Sequence, residues 1–140
     1  MKRLCWTLFL LLIGSVLAGC ARSDFNVPAN EETLKQALID SHLQVCAEQL
    51  LEWRTVPGFV SGAFLTVGAD CAQPGVNIAV ARFDSVEARD GAMNNVLNTN
   101  RVPGSHIVRT LGPLLITVEG ARNDEIVQKI TAALNTIGAR

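Results

Sequence analysis

Tyrosine is absent from the 140 residues, and the aromatic side chains amount to two Trp and five Phe. A basic excess is missing too: 12 Lys and Arg face 13 Asp and Glu, for a formal charge of −1. Without a basic footprint, nucleic acid is set aside as a partner. None of the four cysteines forms a Cys-x-x-Cys pair, which removes the strongest zinc signature. The chain has no Gly-x-Ser-x-Gly elbow and no Gly-x-x-x-x-Gly-Lys loop, so two compact enzyme signatures are missing. The length leaves room for one domain and a tail, not for two ordinary domains. Hydrophobic residues make up 49% of the chain, but much of that share sits in a single run near the start.

That run is an address. Met1, Lys2 and Arg3 form a short basic start, Leu4 to Val16 is almost wholly apolar, and Leu17-Ala18-Gly19-Cys20 follows. A basic region, an apolar region and small residues before a cut describe a secretory signal. The apolar stretch falls short of the roughly 20 residues that a spanning helix needs. Leu17-Ala18-Gly19-Cys20 resembles the lipobox of bacterial lipoproteins, a resemblance confined to residues 1–20. It implies diacylglycerol on Cys20, cleavage of residues 1–19 as a signal peptide, and palmitate-type acylation of the new N-terminus. An ordinary signal peptide and an uncleaved anchor are the alternatives. The lipid would hold the protein in the cell membrane or outer membrane with its domain on the exported side. Ala21, where an Asp would favour inner-membrane retention, mildly favours the outer membrane.

Residues 20–30 comprise the lipidated Cys and a flexible tether. The polar, aperiodic stretch Ala21 to Asn30 contains Pro28, and ten extended residues reach about 33 Å. Residues 31–140 form a single domain. Asn30 caps a helix opening Glu31-Glu32-Thr33, and helical spacing of Leu34, Leu38, Ile39, Leu43, Cys46, Leu50 and Trp53 carries it to about Trp53. Asp40-Ser41 leaves room for a kink. Strands are expected at Phe59–Val67, Val76–Phe83, His106–Thr110 and Leu114–Glu119. A second helix is capped at Asp84 and carries Val86, Met93, Val96 and Leu97 on one stripe. The last helix runs from about Asn123 to Ile137 and stops at Gly138.

The expected order is α-β-β-α-β-β-α. Val56-Pro57-Gly58 and Val102-Pro103-Gly104 suggest a weak tandem αββ repeat. The expected fold class is α+β: a two-layer sandwich, a four-stranded antiparallel sheet with helices on one face, similar in shape to ferredoxin-like folds.

Once Cys20 carries lipid, Cys46 and Cys71 are the cysteines left in the domain. An exported compartment oxidises paired thiols, so a disulfide joining a helix to a loop is expected. Two free thiols are an alternative. So is a zinc set of His42, Cys46, Cys71 and His106, since His42 and Cys46 stand four apart on the expected helix. Ser41-His42 and Ser105-His106 are adjacent in sequence and so point apart, which argues against nucleophilic catalysis. Glu31-Glu32 and Asp124-Glu125 answer helix dipoles, and Glu119 ends a strand. Asn94, Asn95, Asn98, Asn100 and Arg101 crowd what reads as a loop, where turn chemistry explains them better than a carbohydrate site does.

The leading functional expectation is a non-catalytic, lipid-anchored cell-envelope lipoprotein whose domain binds a protein partner or small ligand, with no cofactor. Its partners would be the membrane, through the lipid, and an envelope protein, with nucleic acid excluded. The alternative is an envelope metal-binding protein or hydrolase using His42, Cys46, Cys71 and His106.

Overall fold

The computed structural model describes residues 29–99, 106–121 and 124–140. Residues 1–28, with the expected signal peptide, Cys20 and the expected tether, residues 100–105, with Asn100, Arg101, Val102-Pro103-Gly104 and Ser105, and residues 122–123, with the expected helix start at Asn123, lie outside the described residues. Three helices and five strands follow in the order α1 (Glu31–Asp40), β1 (Gln44–Leu50), β2 (Phe59–Gly68), β3 (Val76–Phe83), α2 (Val86–Thr99), β4 (His106–Leu111), β5 (Leu114–Glu119) and α3 (Glu125–Thr136).

α1 starts where its cap predicts. The Asn30 side chain accepts the Thr33 N–H at 2.8 Å, and Glu31 and Glu32 occupy the first turn. Leu34, Ala37 and Leu38 are buried. The helix does not continue to Trp53, however. It stops at Asp40, because the Leu43 N–H bonds the Leu38 carbonyl at 3.0 Å while the His42 N–H bonds that of Ile39 at 2.9 Å. These two bonds form a Schellman motif, with His42 in the left-handed position at φ 58° and Leu43 packed into the same core as Leu38. α3 ends in the same way. The Ala139 N–H bonds Leu134, the Gly138 N–H bonds Asn135, and Gly138 stands at φ 79°. At α3 a glycine announces the stop; at α1 a histidine carries it.

A left-handed φ costs a non-glycine residue about 1–2 kcal/mol, and glycine returns part of that gain through its freer unfolded chain. His42→Gly is therefore expected to stabilise the domain by about 0.5–1 kcal/mol in urea titration. A destabilised variant would show that the exposed imidazole contributes more than the backbone strain removes.

With the helix ended, Gln44–Leu50 becomes a fifth strand, paired from Gln44↔Gly68 to Leu50↔Ala63 with a bulge between Val45 and Ala47. The sheet has five strands in the order β1-β2-β3-β5-β4, and every neighbouring pair is antiparallel. The four expected strands are all present. The expected four-stranded sheet is corrected by β1, and the chain order is α-β-β-β-α-β-β-α, so the two halves do not repeat as αββ units.

Helices also cover both faces rather than one. Leu65, Val67, Ile78, Val80, Ile116 and Val118 pack with Leu34 and Leu38 of α1 and with Val127, Ile130 and Leu134 of α3. The alternate residues Ala79, Ala81, Phe83 and Leu115 form a second core with Ala92 of α2, extended by Trp53 and Phe59. Phe59 sits edge-on to Phe83 with ring centroids 6.2 Å apart. Three layers result, with the sheet in the middle. The signal is in the sequence: Leu114-Leu115-Ile116-Thr117-Val118 is buried at every position, as expected of a strand covered on both faces.

Smaller differences have local causes. Ser85, not Asp84, caps α2, its Oγ accepting the Ala88 N–H at 3.2 Å. The bulge in β2 lies between Phe59 and Ser61, ahead of Gly62. A Cβ at Gly62 would stand 2.5 Å from the Val80 carbonyl oxygen and 2.9 Å from Leu51, so close approach accounts for this glycine.

Candidate interaction site at the open edge of the sheet

The disulfide is present. Cys46 and Cys71 are bonded across a sequence separation of 25, with Cα atoms 5.2 Å apart. Because Cys46 lies on β1 and not on a helix, the bond ties an edge strand to the β2–β3 loop. It does not join helix to sheet.

His42 and His106 are not brought together. One precedes β1 and the other opens β4, on opposite edges of the sheet. Four strand spacings separate them, about 19 Å. With both cysteine sulfurs in the disulfide, the four residues of the zinc set do not converge. Among the described residues no group of His, Cys, Asp and Glu is placed to hold a metal. Asn94, Asn95 and Asn98 are exposed on α2 rather than in a loop. Glu119 accepts from Asn77 Nδ2 at 3.3 Å, and Thr66 Oγ1 donates to Asn77 Oδ1 at 3.2 Å, so these side chains form a polar row across β2, β3 and β5.

A groove of about 920 Å³ runs between α1 and β1, lined among others by Lys35, Ile39, His42, Val45, Ala47 and Glu48. Lys35 spans it: Nζ lies 2.8 Å from Glu31 Oε1 on its own helix and 2.8 Å from Glu48 Oε2 on β1. The hydrogen bonds that Lys35 donates to Glu31 and Glu48 raise its pKa above the ordinary value, and the bond accepted from Lys35 lowers that of Glu48. Both groups therefore keep their charges across the neutral range, so they hold helix and strand together and are not poised to exchange a proton. Ile39 is 55% exposed in the groove, and Leu50, at the far end of β1, is 73% exposed.

The two edges of the sheet differ. On β4, the Thr110 N–H bonds the Arg140 carbonyl and the Arg140 N–H bonds the Thr110 carbonyl at 2.9 Å. Thr110 thus points its peptide groups outward, and by alternation so do Val108 and His106. The Arg109 guanidinium donates to the Val108 carbonyl at 3.0 Å. The outer edge of β4 is therefore partly occupied by the chain's own groups. On β1, the Leu51 N–H bonds the Gly62 carbonyl at 3.0 Å, which turns Leu51 and Gln49 inward and leaves Glu48 and Leu50 with outward peptide groups. Among the described residues no backbone partner meets them.

Sequence reasoning singled out Cys46, Cys71 and His42 but missed Lys35, Glu48, Leu50 and Arg109. Only the sheet order makes Gln44–Leu50 an edge, so no local pattern could mark it as one. Comparison of the chain with family models, with curated proteins and with solved structures finds no significant match.

Proposed function

We propose that the chain is a lipid-anchored cell-envelope lipoprotein whose exported domain is a non-catalytic module that binds a protein partner. The observation that carries this reading is Leu17-Ala18-Gly19-Cys20 after a basic and apolar leader. The disulfide supports an oxidising compartment, where such bonds form and persist. The open edge of β1, beside a groove with an apolar wall, supports protein binding over catalysis, since sheet edges take up added strands. Attachment would come from acyl chains at about 0.8 kcal/mol per buried CH₂, with two or more chains giving stable anchoring.

Cys20→Ser in the full chain is expected to abolish incorporation of radiolabelled fatty acid and to leave the leader uncut by the lipoprotein peptidase. A variant still labelled to the wild-type level would overturn the lipoprotein reading.

A further inference from the structure

We infer that the open edge of β1 pairs with β1 of a second copy of this chain, joining two five-stranded sheets into one continuous sheet across a two-fold axis. The inference names a partner for the binding module proposed above, and its geometry does not depend on the lipid.

The first argument is the number of available edges. A sheet with two open edges can add copies indefinitely, whereas one open edge closes at two. β4 is obstructed by Arg140 and by the Arg109 guanidinium, while Glu48 and Leu50 of β1 present outward peptide groups. A single self-complementary strand is the requirement for an isologous, closed dimer.

The second argument is register. Antiparallel self-pairing must match outward residues with outward residues. Centred on Gln49, it sets Glu48 opposite Leu50 of the second copy, so that these residues exchange both backbone bonds. Gln49 then faces its own counterpart in a non-hydrogen-bonded pair, with Cα atoms about 4.5 Å apart. No like charges stand directly opposite one another, and each Glu48 is already held by Lys35 of its own copy at 2.8 Å. Strands that must avoid pairing carry outward lysines or prolines. β1 has neither; its bulge, between Val45 and Ala47, lies ahead of the paired residues Glu48–Leu50, and its exposed apolar residue, Leu50, lies among them.

The third argument is rigidity. The Cys46–Cys71 bond and the Lys35–Glu48 ion pair fix β1 at two points before any partner arrives. That lowers the ordering cost of docking.

The test uses the full chain in the membranes of a host that processes it, with Cys46 and Cys71 retained. Gln49→Cys, oxidised with copper phenanthroline, is expected to give a species of twice the chain mass on a non-reducing gel. Gln128→Cys, exposed on α3, serves as the collision control. Adding Leu50→Pro removes one outward donor from each copy, two hydrogen bonds per dimer, without touching the ladder to β2, and should lower cross-linking by about tenfold or more. A thermal melt reports whether that variant is folded. If it is not, Gln49→Lys, which sets like charges opposite each other, is read by co-purification of two differently tagged copies. This variant should lose the co-purification that the wild type shows. Cross-linking no greater than the control, an adduct of another mass, or pairing indifferent to both Leu50→Pro and Gln49→Lys would overturn the inference. Fatty-acid labelling of the same samples keeps the two proposals separate: a labelled protein that does not pair defeats only the dimer, and a pairing protein without label defeats only the anchor.

Discussion

Cys46→Ala is expected to lower the unfolding free energy by about 3 kcal/mol, and Cys71→Ala by a similar amount. The bond closes a separation of 25 residues, and a loop of that size contributes roughly 3 kcal/mol in the chain-entropy model. Urea titration at equal m-values measures each loss. The double variant should be no worse than the worse single, since either change already removes the same bond. Strictly additive losses would mean that the two side chains act separately. The location of the bond adds a second expectation. It fastens an edge strand whose outer side has no backbone partner among the described residues. Reduction should therefore raise hydrogen exchange first at the inward amides of β1, such as Gln49, while those of β3 and β5 in the middle of the sheet stay protected.

Leu115→Ala is expected to cost about 2–5 kcal/mol. The size of the effect tests the third layer. In a two-layer sandwich with helices against Leu114 and Ile116, Leu115 would point to solvent, and its truncation would change stability by less than about 0.5 kcal/mol. Here Leu115 is 1% exposed, packed with Ala81, Phe83 and Ala92 beneath α2. The loss should appear as an earlier thermal midpoint. A near-neutral result would place α2 away from the sheet.

Much of the fold was legible in local chemistry. Asn30 caps α1 as expected, while Asp124, expected inside the first turn of the last helix, is instead the cap of α3; both accept N–H groups of the first turn, and such caps depend on residues within three positions of each other. Gly138 stops α3 because glycine tolerates φ 79°. The four expected strands followed from β-branched and aromatic runs bounded by Gly, Pro and Asp. The pairing of Cys46 with Cys71 followed from counting the cysteines left in a domain expected to be exported, whatever element each one occupies.

The stop of α1 could not be read in this way. Leu43, Cys46, Leu50 and Trp53 repeat at helical spacing, yet Leu43 is 2% exposed and Leu50 73%. The spacing fits either element, and the choice rests on distant residues. Leu43 enters a core shared with α3, which favours His42 in a left-handed turn, and β2 supplies the backbone partners that Gln44–Leu50 needs. The same holds for the layers and the edges. Whether α2 lies on the face of α1 or on the other depends on which side of β3 and β5 still needs cover. β1 is an open edge only because β2 takes its inner side and no described residue takes its outer one. Caps, turns and cysteine pairing act over a few residues or through composition, and so they stand in the sequence. Which strand ends a sheet, and which helix covers which face, is a property of contacts made after the chain has folded back on itself.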